Sequence, residues 1–194
     1  MYYYPYFYPY GYVPVNQDVR QFHQPYSPYL PQYAEQIEPD TNVEEEKRIT
    51  LSDQGNHPYV VDIEEAAEQN RRFRTALWTG RHLQVVLMSL RSGEDIGLEI
   101  HRHTDQFLRI EEGHGLVQMG RERNNLNFQR NIREDDAIMV PAGTWHNIIN
   151  TGRKPLKLYT IYAPPHHPHG TVHRTKAEAK AAEAGHREEE KSDD

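Results

Sequence analysis

LEIHRHTDQFLRIEEGHG, running from Leu98 to Gly115, is the stretch on which the reading of this chain turns. His101 and His103 stand two apart. On an extended strand both imidazoles would leave the same face and could converge on one ion, while Arg102 points the other way. Thr104 and Asp105 then make a tight turn. Gln106, Leu108 and Ile110 share one face of the next strand, which puts an amide oxygen near the two imidazoles if the hairpin folds back. Glu99 lies on the histidines' face. It is placed to orient one of them or to act as a general base, or equally to be a buried charge paired with an arginine.

A second segment, DDAIMVPAGTWHNIIN from Asp135 to Asn150, supplies Pro141 and Gly143 for a rigid turn. His146 then opens a new strand with Ile148 on its face, and Trp145 on the opposite face reads as packing. The candidate metal ligands are therefore His101, His103, Gln106 and His146. Neutral imidazole suits Zn, Fe, Mn, Ni and Cu, and a coordination position left open would admit water or substrate. The expected cofactor is a divalent transition metal. Cysteine is absent and twelve histidines are present, so disulfides and thiolate ligands are excluded while imidazole ligands are plentiful.

Outward from these segments the chain is strand-like. LQVVLMSL, LEIH, FLRI, LVQM, AIMV, HNII and LKLYTIYA follow one another between clusters of Gly, Pro, Asn and Asp. Short strands with turn signals at such spacing predict an all-β barrel or sandwich. Before them, Asp62 and Glu65 have capping-box spacing and open a short helix through EEAAEQNRRF. After them, Thr175 and Glu178 repeat the signal, and an Ala/Glu/Lys segment ending at Gly185 predicts a solvated helix with a frayed end and no chemistry. Residues 1–45 begin MYYYPYFYPYGYVPV and stay rich in Tyr and Pro, which fits disorder or polyproline II. Clustered tyrosines can also stack or couple oxidatively, and tails of this look resemble those of bacterial spore-coat proteins.

The two histidine segments resemble the paired motifs of the cupin superfamily. In the first, Gly93 or Gly97, His101, His103 and Gly113 match; in the second, Pro141, Gly143, His146 and Asn150 match. Gln106 stands where the family usually has a glutamate ligand. That exchange removes one negative charge and shifts the preference away from hard cations. The resemblance implies a single double-stranded β-helix, or jelly roll, with the metal in its mouth and short flanking helices. It also implies a homodimer. DQFLRIEEG and the late YAPPHHPHGTVH, Tyr162 to His173, look closest to proteins described as similar to mannose-6-phosphate isomerase.

The expected organisation is a Tyr/Pro-rich tail at 1–45, a linker and short helix at 46–75, the barrel at 76–165, and a His-rich loop with a charged helical tail at 166–194. In that last part His166, His167, His169 and His173 crowd together. Pro164, Pro165 and Pro168 deny them a regular element, so they read as loop decoration, the alternative being that His173 or a neighbour folds over the mouth and touches substrate.

Charge and hydropathy narrow the function. A net charge of −7, from 29 acidic and 22 basic residues, argues against a nucleic-acid partner. No apolar run approaches the ~20 residues that span a bilayer, and no signal-peptide pattern begins the chain, so a cytoplasmic, membrane-free protein is expected unless the tail places it in a spore coat. Arg102 faces outward and Arg109 alternates away from Gln106, which leaves a phosphorylated substrate poorly served. Two functions stand side by side. One is a metal-dependent enzyme on a small molecule, isomerase-like on a sugar, polyol or carbonyl compound or dioxygenase-like, with Glu99 as the catalytic carboxylate. The other is a non-catalytic binding or structural module anchored by its tail.

Overall fold

The computed structural model describes residues 48–192, with side chains as far as residue 184. The Tyr/Pro-rich tail expected at 1–45 lies outside the described residues. Helix α1, Ile63–Gln69, opens at Asp62, whose side chain accepts a hydrogen bond from the Glu65 amide at 3.1 Å. Ten strands follow: β1 Arg74–Thr79, β2 Gln84–Leu90, β3 Glu99–Ile100, β4 Asp105–Glu112, β5 His114–Gly120, β6 Phe128–Arg133, β7 Ala137–Val140, β8 Trp145–Asn150, β9 Leu156–Ala163 and β10 Val172–His173. Helix α2, Lys176–Ser192, closes the described chain.

The strands pair antiparallel into two sheets, one ordered β10-β1-β2-β9-β4-β7 and the other β3-β8-β5-β6. This is the double-sheet jelly roll that the resemblance implied, and it agrees with the all-β pattern of the strands. Alternation along each strand decides which side chains meet in the middle. Val86, Met88 and Leu90 from β2, Leu108 and Ile110 from β4, and Leu156 and Leu158 from β9 line one inner face, and Val117, Ile132 and Ile148 meet them from the other sheet. Each such side chain contributes about 1.5–3 kcal/mol by leaving water. The alternate residues Leu77 and Leu87 turn outward and receive Ala66 and Ala67 of α1, so the larger sheet is buried on both faces where β1 and β2 meet that helix.

Sheet pairing begins at Arg74 and takes in His173, which stands opposite it, so the sheet reaches past 76 and 165 at its two ends. Helix α2 is capped as its sequence predicts, the Thr175 hydroxyl accepting from the Glu178 amide at 3.2 Å. It differs from the solvated helix expected in two ways. It continues through Gly185, whose cost of about 1 kcal/mol falls among strong helix formers, and it packs on the barrel through the buried Ala179. Asn150 closes the second motif structurally. Its amide donates to the carbonyls of Leu90 at 2.9 Å and Lys154 at 2.8 Å, and its oxygen accepts from Gly152 at 2.8 Å.

Candidate metal centre

Register brings two rows of polar side chains face to face at one end of the sandwich. On the larger sheet, Gln84 and Gln106 flank Tyr162, and all three are buried. On the smaller sheet, Glu99 stands opposite His146. His101 follows β3 directly, where the chain bends, and its carbonyl accepts from the Gly143 amide at 2.8 Å. That bond ties the first histidine segment to the second, and it needs Gly143 at φ +78°, a region that suits glycine.

Glu99 Oε1 lies 3.3 Å from His101 Nε2 and 3.3 Å from His146 Nε2. One ligand atom from each of the three residues falls within 4.8 Å of the other two. The His146 ring has a defined tautomer: Nδ1 is 3.0 Å from the Thr144 carbonyl oxygen, which can only accept, so Nδ1 carries the hydrogen and Nε2 keeps its lone pair. A lone pair 3.3 Å from a carboxylate oxygen calls for a proton or cation beside it. His146 Nε2, both ring nitrogens of His101 and Gln106 Oε1 are buried without a hydrogen-bond partner. Buried polar atoms are nearly always paired, so four orphans at one end of a barrel mark a place for something else. Atoms bound at about 2.1 Å to one ion stand roughly 3.0–3.4 Å apart, which the 3.3 Å spacings match. The residues present fit a divalent metal.

Burial alone would raise the Glu99 pKa, but the two imidazoles of His101 and His146 beside it outweigh that effect and hold the carboxyl well below its ordinary range. Glu99 is therefore ionised at neutral pH. Gln106 donates its amide hydrogen to the Thr160 hydroxyl at 3.0 Å, which leaves its oxygen as the free end. Asp105 is otherwise engaged, accepting from the Ala142 amide at 2.8 Å in the turn beside Gly143.

His103 does not join this cluster. It is exposed, on a bend that spans Arg102 and His103, because β3 ends at Ile100 and the alternation that would aim it alongside His101 ends with the strand. The pairing by twos does operate, one step earlier, between Glu99 and His101. Glu99, expected as an orienting or catalytic carboxylate, thus stands in a group of three residues that could hold an ion.

The late histidine loop also differs from the decoration expected of it. Gln84 Oε1 accepts from the amides of His167 at 2.9 Å and His166 at 3.3 Å, and Gln84 Nε2 donates to the His167 carbonyl at 2.9 Å and to Thr79 Oγ1 at 2.9 Å. Thr79 in turn donates to Asp53 at 2.6 Å, and Asp53 accepts from Gly170 at 2.9 Å. So pinned, His166 lays its ring 4.1 Å from that of His101 and stacks on Tyr162 at 5.5 Å. Burial first, and then the His101 ring, push the His166 pKa down to about 4, so it is neutral at physiological pH. His169 stays exposed at the loop's outer end, 3.6 Å from Asp53, and His173 lies half-buried in β10. A hint was present in the sequence: Gln84 alternates onto the inner face, where an amide needs partners.

Comparison with known proteins agrees with this fold. Residues 86–162 match the family model described as a cupin domain. Protein YrkC of Bacillus subtilis (strain 168) is 66% identical over 139 residues, covering 72% of this chain and 75% of that protein. A protein of Acanthamoeba polyphaga mimivirus is 42% identical over 118 residues, or 60% of this chain and 72% of its own. Among solved structures, BH2720 from Bacillus halodurans is 66% identical with a TM-score of 0.67, over 68% of this chain and 99% of that one.

Proposed function

The chain belongs to the cupin superfamily, and from that premise we propose that it binds a divalent transition metal and acts on a small molecule at the barrel mouth. Glu99, His101 and His146 hold the ion, and Gln106 Oε1, buried without a partner on the facing sheet, is the further donor. The observation that carries this reading is the single Glu99 oxygen set 3.3 Å from two imidazole nitrogens that have no other partner. One carboxylate among neutral donors leaves a site of charge −1, suited to Zn, Fe, Mn or Ni rather than to hard cations. When bound, such an ion polarises a carbonyl or hydroxyl oxygen.

The chain's own residues supply the rest. Thr144 fixes the His146 tautomer, Tyr162 and His166 stack beside His101, and Gln84 holds the His166 loop in register. The chemistry that suits these parts is isomerase-like proton movement next to a carbonyl, or dioxygenase-like chemistry if the ion is Fe or Mn. A second reading, a structural module placed by its tail, for example in a spore coat, draws support from the Tyr/Pro composition of residues 1–45.

Metal analysis by inductively coupled plasma mass spectrometry on untagged, chelator-free protein tests the first reading. The expected result is near-stoichiometric transition metal in the wild type and none in the His101→Ala/His146→Ala double variant. Wild-type protein that stays metal-free after soaking overturns it. Protein lacking residues 1–45 tests the second: unchanged placement in the cell removes the case for an anchoring tail.

A further inference from the structure

Sheet register carries the two rows at the barrel mouth beyond the metal donors. On the smaller sheet Glu99 stands opposite His146, His146 opposite Met119, and Met119 opposite Phe128, so these side chains share one inner row. On the larger sheet the facing row runs from Gln84 through Tyr162 and Gln106 to Val140. Each row begins with polar groups and ends with apolar ones. The strands that carry the two ends, β6 and β7, are joined directly by residues 134–136, so both rows turn apolar on the same side of the sandwich. Neighbouring strands lie about 4.8 Å apart, which places Met119 one spacing and Phe128 two spacings, roughly 10 Å, from His146.

That side is open. Ile132, on the same inner face of β6, is 5% exposed, whereas Phe128 is 42% exposed although alternation turns it inward. Met119 packs on the core and is only partly buried. Toward the mouth, therefore, the facing sheet ceases to cover β6. The loop from β5 to β6 is tucked against the other face: Gly120 pairs with Trp145, on the side away from His146 and Met119, and a Cβ there would collide with the Asn125 carbonyl oxygen.

The exposed ring is also held in place. Arg130, two residues along β6, sets its guanidinium 4.9 Å from the centre of the Phe128 ring and donates to the Gln129 carbonyl at 2.7 Å. An adaptable thioether and an ordered aromatic ring thus continue the row of buried, unpartnered polar atoms at His146 and Gln106. Apolar walls with a few convergent polar groups are the composition of a small-molecule site.

We propose that Met119 and Phe128 are the specificity-determining residues beside the metal centre, and that the substrate is a small molecule with a chelating oxygen head and a flat apolar body. An aromatic or unsaturated carbonyl compound fits this class, and a polyhydroxylated sugar does not. The inference rests on reading Glu99, His101 and His146 as a metal site. The head meets the ion, and the body lies across Met119 onto Phe128. A sugar placed the same way would press hydroxyls against the thioether and the ring, where they lose water without gaining hydrogen bonds.

Paired hydroxamates test this, because acetohydroxamate and benzohydroxamate present one chelating head and differ in methyl against phenyl. Isothermal titration compares them on zinc-loaded, full-length wild type and Phe128→Ala, with zinc content measured on the same samples. Methionine-methyl NMR follows benzyl alcohol binding to zinc-loaded and metal-free wild type, with Met119→Leu assigning the Met119 resonance. Benzohydroxamate is expected to bind wild type about tenfold tighter than acetohydroxamate. Phe128→Ala is expected to lose most of that preference while its zinc content and acetohydroxamate affinity stay the same, and benzyl alcohol is expected to shift the Met119 resonance in both forms. Equal affinity of wild type for the two hydroxamates, or a preference undiminished in Phe128→Ala, overturns the proposal and leaves the metal site standing. If the protein takes no zinc the metal reading falls, and the NMR arm decides: a Met119 shift with benzyl alcohol upholds the apolar subsite, and an unmoved resonance sinks it too.

Discussion

Two histidine pairs bracket this barrel, His101 with His103 and His166 with His167, and each contributes differently from what its local pattern promises. The first pair has ideal strand spacing, yet His103 is exposed on a bend while His101 is buried in the candidate metal centre. The second pair sits among prolines with no regular element, yet His166 lies 4.1 Å from His101. Periodicity orients side chains only where the hydrogen-bonded strand that enforces it persists. A loop, by contrast, can be as well placed as a strand when a buried amide such as Gln84 answers its backbone groups.

The largest expected effect separates the two members of the first pair. His101→Ala and His146→Ala should each lower metal affinity by more than about 100-fold, because loss of a donor exceeds the 10- to 100-fold cost of losing a partner that merely orients one. His103→Ala should leave metal stoichiometry unchanged and shift stability by less than about 0.5 kcal/mol. Metal titration monitored by calorimetry, with melting curves on the same samples, reads both. Loss of metal from the His103→Ala protein would return that residue to the ligand set.

Next comes the anchor of the second pair. Gln84→Ala strips hydrogen bonds from the His166 and His167 amides and the His167 carbonyl in a buried place, which should cost about 1–3 kcal/mol and free His166 from His101. Urea unfolding gives the first quantity, and hydrogen exchange at residues 166–170 gives the second. Unchanged exchange there would mean that the prolines alone hold the loop.

A smaller effect is expected at Gln106. Gln106→Glu restores a charge where the family usually carries one, so it should tighten Mn binding over Zn relative to wild type, by about tenfold in the ratio, or ~1.4 kcal/mol. Competition titration with the two ions measures that ratio, and no change would place Gln106 Oε1 outside the coordination sphere.

The smallest effect concerns protons. The folded-state pKa of His166 is pushed down to about 4 from 6.5, so between those values the unfolded chain binds the proton more readily. Stability from this group is complete above pH 6.5 and is lost as pH falls toward 4. The metal-free protein should show a Tm that rises from pH 4 to 6.5, and His166→Gln should flatten that rise. An identical slope in the variant would assign the titration to other groups.

Much of this was legible in the chain. The inner faces of β2, β4, β8 and β9 follow from alternation, both helix starts from their capping residues, and the order of the two motifs from the turn chemistry of Pro141 and Gly143. Gln106 and His146 lie on strands long enough for period two to hold, and the structure brings both to the end of the barrel where His101 stands. Glu99 was seen on the right face, but its place between two imidazoles depends on facing His146 across β3–β8, a pairing between segments distant in sequence. Arg74 gave no signal of its own, since a basic residue opening a strand is ordinarily solvated.

What the amino-acid order determined by itself was therefore the set of local events: which residues extend, which cap, which turn, and which inner face each strand offers. Their physical causes lie within a few residues, in side-chain alternation, hydrogen bonds from capping groups and the backbone freedom of glycine. Only the tertiary structure decided what met at the barrel mouth. There a strand ends one residue before His101 and a loop returns to lay His166 against it, while elsewhere a helix offers Glu183 to a buried arginine. Those outcomes depend on sheet register and on the cost of leaving buried polar groups unpaired, and both are properties of the assembled core.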